Sequence, residues 1–119
     1  MNILILEDNS LRQEFFKNKL SKFNTVIVDT VEKAKEEFLK QDFWDYLFLD
    51  HDLGGKEMIS SYEGNTGYQF AKWLSPLLKE HTQVICHSLN PEGRDNIKSV
   101  LPQTTIIPFP YLVLNFVIK

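Results

Sequence analysis

Tyr46-Leu47-Phe48-Leu49-Asp50-His51-Asp52-Leu53-Gly54 is the stretch whose reading decides the fold. Four apolar residues in a row suit a strand covered on both faces, as in a parallel sheet. The run stops abruptly at two acids and a histidine. Toward the N-terminus, Ile3 to Leu6 is a similar run, stopped by Glu7 and Asp8. Thr25 to Val28 is another, rich in β-branched residues. Helical intervals separate the runs: Leu11, Phe15, Phe16, Leu20 and Phe23, then Val31, Ala34 and Phe38. Ser10 with Gln13, and Asp29 with Glu32, have the capping-box spacing.

Beyond Asp52, the polar stretch from Gly54 to Thr66 is the longest irregular segment, and such loops are functional or mobile. Phe70, Leu74, Leu77 and Leu78 mark a third helix, in which Pro76 predicts a kink or an early end. Val84 to His87 is a fourth strand. Asn90-Pro91 opens a fourth helix with a good cap and a first-turn proline. Ile97, Val100 and Leu101 form the apolar side of that helix. Thr104 to Ile107 is a fifth strand, and the apolar tail from Leu112 to Ile118 predicts a short last helix.

Strands that alternate with helices predict a doubly wound α/β domain over residues 1–119, with a five-stranded parallel sheet and helices on both faces. Ligands of such sheets bind outside the carboxyl ends of the strands. That places Glu7 and Asp8, then Asp50, His51 and Asp52, then His87, Ser88 and Asn90 at one edge.

Composition narrows the classes. The 119 residues suit one domain, and the 43% hydrophobic content is that of a globular chain. A net charge of −3 offers no global basic field to nucleic acid. Cys86 is the lone cysteine, which excludes an intramolecular disulfide and a cysteine-based zinc site. Its apolar setting suggests a buried core thiol. No signal-peptide pattern or membrane-length apolar run is visible, so a cytoplasmic protein without membrane contact is expected.

Ile5-Leu6-Glu7-Asp8-Asn9 resembles the start of a receiver domain of two-component signalling, where paired acids bind magnesium. Leu47-Phe48-Leu49-Asp50 resembles its third strand, which ends in the phosphate-accepting aspartate. Ser88 falls at its hydroxyl position, and Phe109-Pro110-Tyr111 is similar to the lysine-proline-phenylalanine end of its fifth strand. Phe109 stands where the lysine would be. With histidines at His51 and His87, the chain resembles the divergent cyclic-phosphate-processing receiver domains of bacteria and phages. The resemblance implies the receiver (flavodoxin-like) strand order 2-1-3-4-5 with a truncated last helix. It also implies a predicted role on cyclic phosphate ends, linked to RNA repair.

Read as chemistry, opening a cyclic phosphate needs a base for water and an acid for the leaving oxygen. His51 and His87 could divide those roles, with Asp50 or Asp52 orienting His51. The alternative is that His51 caps a turn and His87 is a satisfied strand-end histidine. Glu7, Asp8 and Asp50 could hold Mg²⁺, or remain a solvated acid cluster. Ser88, Asn90 and the start of the fourth helix could receive phosphate, with Arg94 supplying charge. Asn90 could equally be a plain cap. Lys56 is a second possible cation, and Tyr62 and Tyr68 could stack on a base or be ordinary surface aromatics.

The expected function is therefore phosphoesterase-type processing of a cyclic phosphate or nucleotide end, with a nucleotide or cyclic-phosphate-ended RNA as partner. The alternatives are a non-catalytic nucleotide-binding or protein-docking module and a conventional receiver phosphorylated at Asp50. The missing lysine argues for weak phosphorylation. The apolar tail from Leu112 to Ile118 predicts a homodimer or a docked protein partner.

Overall fold

The computed structural model describes residues 1–55 and 58–115; the side chains of Leu114 and Asn115 lie outside the description. Its elements are β1 (Asn2–Leu6), α1 (Ser10–Lys19), β2 (Asn24–Val28), α2 (Val31–Phe38) and β3 (Tyr46–Leu49). They continue as α3 (Gly67–Leu74), β4 (Gln83–Cys86), α4 (Pro91–Val100), β5 (Thr105–Ile106) and α5 (Phe109–Asn115). The five strands are parallel and run in the order β2-β1-β3-β4-β5. This is the receiver-type, flavodoxin-like sheet.

Strand side chains alternate between faces, and β1 shows the consequence. Leu4 and Leu6 join Leu47, Leu49, Val84 and Cys86 beneath α2, α3 and α4, with Ala34, Phe70, Leu74 and Ile97. Ile3 and Ile5 face the other way, against Phe48, Ile85, Phe16 and Leu20 of the α1 side and Leu112 of α5. Cys86 is fully buried, and burial pushes its thiol up to about 12, as expected of a core thiol. Among the described residues no helix is long and apolar enough to cross a membrane.

Both capping-box expectations miss by one residue. Asn9 caps α1, its Oδ1 accepting from the N–H groups of Leu11 and Arg12, and Ser10 is already helical. Gln13 reaches back to the Glu7 carbonyl instead, at 2.7 Å. Thr30 caps α2, and Asp29 forms an exposed ion pair with Lys33. In each case two capping types stand side by side. The extended backbone just ahead of the first helical turn selects between them.

Leu11 does not join the apolar side of α1 but is exposed; Arg12 beside it reaches the sheet edge. The α3 helix ends at Leu74, and Pro76 lies just past the Ser75 cap, which is the early stop its missing N–H dictates. Of the tail, Leu112 is buried while Tyr111 and Val113 are exposed. Phe116, Val117 and Ile118 lie outside the described residues.

Candidate functional site

Parallel strands end at one edge, and backbone bonds carry the register past their last residues. Glu7 N–H donates to Val28 O, Asp50 N–H to Leu6 O, His87 N–H to Leu49 O, and Phe109 N–H to His87 O. The residues that follow β1, β3 and β4 are thereby brought together, as the sequence implies.

They do not all face the same space. A cleft of about 200 Å³ opens at this edge, lined by Asp8, Asn9, Arg12, Asp50, Asp52, Gly55, Met58, Ser88 and Leu89. Four of the expected site residues are therefore on the cleft: Asp8, Asp50, Asp52 and Ser88. Glu7, His51, His87 and Asn90 stand behind it, each buried. Arg94 is half-buried in the first turn of α4 and is not on the cleft wall. Tyr62 is exposed away from the cleft, and Tyr68 packs against the core. Lys56 lies outside the described residues.

His51 is a structural junction. Its Nδ1 lies 2.8 Å from Asp52 Oδ1 and its Nε2 lies 2.8 Å from Ser61 Oγ. Asn96 Nδ2 donates to that same Ser61 oxygen. Asn90 does two jobs: its Oδ1 caps α4 by accepting from Gly93 N–H, and its Nδ2 donates to Asp52 Oδ1 and Ile59 O. Asp52 also accepts from the N–H groups of Met58 and Ile59. The network ties the loop after β3 to α4. Asp52 thus holds one nitrogen of His51, as the sequence suggests, while the ring itself is buried and is not on the cleft wall.

The ring also lies against Gly93, where an added Cβ would sit 2.3 Å from His51 Cγ. Gly93→Ala should therefore cost about 1–3 kcal/mol, because a ring bonded on two sides has little room to yield. Urea unfolding of the variant checks this.

Behind the cleft floor, His87 Nε2 lies 2.9 Å from Glu7 Oε1, and Glu7 Oε2 accepts from Asn9 N–H. Phe16 meets the His87 ring edge-on, and Nδ1 of His87 has no hydrogen-bond partner among the described residues. Asp50 Oδ1 accepts from His51 N–H. Arg12 Nη1 lies 3.7 Å from Glu7 Oε1 and 4.0 Å from Asp50 Oδ2.

A model of a family described as "Cyclic-phosphate processing Receiver domain" matches residues 3–103. The chain belongs to that family. Solved receiver domains share its fold. A CheY-like receiver domain from Methylobacillus flagellatus is 19% identical, with 92% of this chain and 86% of that one covered at a TM-score of 0.66. Vibrio cholerae CheY4 is 16% identical, with the same 92% and 86% covered and a TM-score of 0.68. Thermotoga maritima TrrA, in complex with Mg(2+)-BeF, is 17% identical, with 93% and 90% covered and a TM-score of 0.67. No curated protein matches.

In this cyclic-phosphate processing receiver domain, burial shapes the charges. Burial raises Glu7. Burial, helped by the neighbouring Glu7, pushes Asp50 from 3.8 up to about 7 against the opposing pull of His87 and Arg12. Burial depresses His87 from 6.5 to about 4. Burial alone would raise Asp52, but the hydrogen bonds from His51, Asn90, Met58 and Ile59 hold it below its ordinary value.

These shifts set a pH dependence. Asp50 keeps a proton in the folded state that the unfolded chain has lost, so its contribution falls as pH rises from about 4 to about 7. His87 stays neutral where the unfolded chain takes a proton, so its contribution falls as pH drops from 6.5 toward about 4. The two oppose each other between about 4 and 6.5. Asp50→Asn removes that falling contribution, so stability should climb more steeply with pH over that window than in wild type, by up to about 1.4 kcal/mol per pH unit. Urea unfolding at pH 4.5 and 6.5 with chelator, on wild type and variant, measures it.

Metal fit can be judged from the donors. Glu7, Asp50 and His87 each offer a ligand atom within 4.8 Å of one another, but Glu7 and His87 already engage each other. Asp8 and Asp50 line the open cleft. Hard carboxylate oxygens on a polar cleft suit Mg²⁺, and the protonation that burial imposes on Asp50 is relieved by a nearby cation. The donor chemistry fits such an ion, which Asp8, whose Oδ2 accepts from Gly55 N–H, and Asp50 would hold from the cleft with Glu7 behind them.

Sequence reasoning missed Arg12 and Ser61. Arg12 carried a signal: it lies in the first turn of the helix that follows Glu7 and Asp8. Ser61 carried none, because its partner His51 is ten residues away across an irregular loop.

Proposed function

We propose that the cleft processes a cyclic phosphate or a related nucleotide end by hydrolysis. One observation carries the reading: Asp50, at the end of the central strand β3, lines an open polar cleft with Asp8, Asp52 and Ser88, while both histidines lie behind it. Asp50 is the catalytic residue of this proposal. It takes a proton from water as the water oxygen bonds to phosphorus. It returns that proton to the ribose oxygen as the P–O bond of the ring breaks. One water is consumed and a phosphomonoester results. Ser88 orients a phosphoryl oxygen. His51 and His87 act as positioning residues, the first through Asp52 and the loop, the second through Glu7. A divalent ion held by Asp8 and Asp50 would neutralise phosphate charge. The family to which the chain belongs, and the Mg(2+)-BeF complex of a receiver with this fold, support that reading.

The test is incubation with 2′,3′-cyclic nucleotides and short RNA ending in a cyclic phosphate, with and without Mg²⁺. Turnover lost in Asp50→Asn supports hydrolysis. Saturable binding without turnover favours a binding module. Stoichiometric labelling of Asp50 by acetyl phosphate favours a conventional phospho-accepting receiver.

A further inference from the structure

We infer that Arg12 is the side chain that receives the phosphate anion in this cleft, and that Phe109 holds it there in place of the receiver lysine. The inference rests on the reading of the cleft as a phosphate-ester site. It adds the one protein cation among the described residues that line the cleft.

The charge balance of the cleft poses the problem. Asp8, Asp50 and Asp52 line it, and Arg12 is the only cation among its described lining residues. A phosphate entering such a space meets three carboxyl groups. Across a cleft of this size, like charges repel strongly once water is thinned out. Arg94, the cation first expected to offset them, does not line the cleft, and no lysine occupies position 109.

Arg12 has the geometry for the task. It is the third residue of α1 and reaches back over the sheet edge. Its side chain is 25% exposed, so the guanidinium is accessible from the cleft without being freely solvated. Its distances of 3.7 Å to Glu7 and 4.0 Å to Asp50 are attractive ion-pair contacts, yet longer than the roughly 2.7–2.9 Å of a direct charge-assisted hydrogen bond. The carboxylates thus hold the cation nearby without consuming its N–H donors. A planar guanidinium can present those donors to two phosphate oxygens at once.

Phe109 supplies the platform. The guanidinium carbon stands 5.1 Å from the centre of its ring, within the range of a cation–π contact. The ring is fixed in turn by edge contacts to Phe15 and Phe16, with centroids at 5.2 and 6.0 Å. The Phe109 N–H is bonded to the His87 carbonyl, at the strand-end level of the site. The position that would carry a cation on β5 in a receiver here carries an aromatic face, and the cation comes from α1. The competing account is that Arg12 only neutralises Glu7 and Asp50 as an internal ion pair. The two separate at Arg12→Lys, which keeps the neutralising charge but loses the planar two-pronged donor. Direct contact predicts a measurable loss of phosphate affinity there, and wild-type affinity in Arg12→Lys would leave Arg12 an internal ion pair and overturn the inference.

The experiment is calorimetric titration of inorganic phosphate and of 2′,3′-cyclic AMP, with Mg²⁺ present, into wild type, Arg12→Lys, Arg12→Gln and the double variant Arg12→Gln/Phe109→Lys. Thermal unfolding of each variant runs alongside. Arg12→Gln should weaken both anions by about ten-fold or more, and Arg12→Lys by less. The double variant should recover most of the loss by placing a cation at the receiver position. If the double variant does not fold, the salt dependence of phosphate affinity in Arg12→Lys against Arg12→Gln decides, with a shallower slope expected for Gln. Equal phosphate affinity in folded wild type and Arg12→Gln overturns the inference while leaving the proposed hydrolysis standing. Failure of wild type to bind either anion overturns both.

Discussion

Asp50→Asn should abolish turnover of a 2′,3′-cyclic nucleotide while making the metal-free protein no less stable at neutral pH. The substitution is nearly isosteric, and the amide oxygen can still accept from His51 N–H as Oδ1 does now. What it removes is the proton-exchanging carboxylate at the cleft. General acid–base groups contribute about 10²–10⁴ in rate, and a loss of that size is expected. The stability effect runs the other way. A buried carboxyl raised to about 7 is a liability for the fold at and above that pH. Its replacement should therefore stabilise by about 1–3 kcal/mol at pH 7, less whatever the remaining hydrogen bonds lose. Opposite signs in a rate assay and a urea titration identify a functional carboxylate. Loss of both together would identify Asp50 as a structural residue.

Gly67→Ala should be the most damaging change outside the cleft. Gly67 is the first residue of α3, capped by Thr66, and its N–H donates to His51 O. A Cβ there would meet the Asp50 carbonyl oxygen at 2.0 Å and the His51 Cα at 3.0 Å. Both are backbone atoms at the end of a central strand, so neither can swing aside as a side-chain tip would. Relief requires α3 or the Asp50–His51 peptide to move. We expect a loss of at least about 3 kcal/mol, together with loss of turnover, because the same shift displaces the Asp50 side chain. Chemical denaturation and the rate assay on one preparation check both parts. A variant as stable as wild type would show that the approach of α3 to β3 is looser than described.

Much of this was legible in the sequence for physical reasons. Uninterrupted apolar runs such as Ile3 to Leu6 and Tyr46 to Leu49 can be buried on two faces only in a covered parallel sheet, and such a sheet gathers strand-end residues at one edge. That reasoning placed Asp8, Asp50, Asp52 and Ser88 at the edge where the cleft opens. It could not tell which way a strand-end side chain turns. His51 points behind the cleft because Asp52, Ser61 and Asn90 surround it, and Ser61 comes from a loop with no periodic pattern. His87 points behind because Phe16 and Glu7 make a buried seat for it. Arg12 stands far in sequence from the motif that lacks a lysine at position 109, and the cations expected in its place were Arg94 and Lys56. The contact that restores the charge spans 97 residues of sequence, from α1 to the start of α5. Cap positions slipped by one at Asn9 and Thr30, where adjacent residues have equal capping chemistry and tertiary placement of the turn breaks the tie.

The central claim is that water opens a cyclic phosphate at Asp50. The most direct measurement is a ³¹P spectrum of a 2′,3′-cyclic nucleotide incubated with the protein and Mg²⁺ in ¹⁸O-labelled water. The cyclic phosphate signal should give way to a phosphomonoester carrying one ¹⁸O bonded to phosphorus. The same incubation with Asp50→Asn should leave the cyclic signal intact. An unchanged spectrum with folded wild type, or equal conversion by the Asp50→Asn variant, would contradict the account.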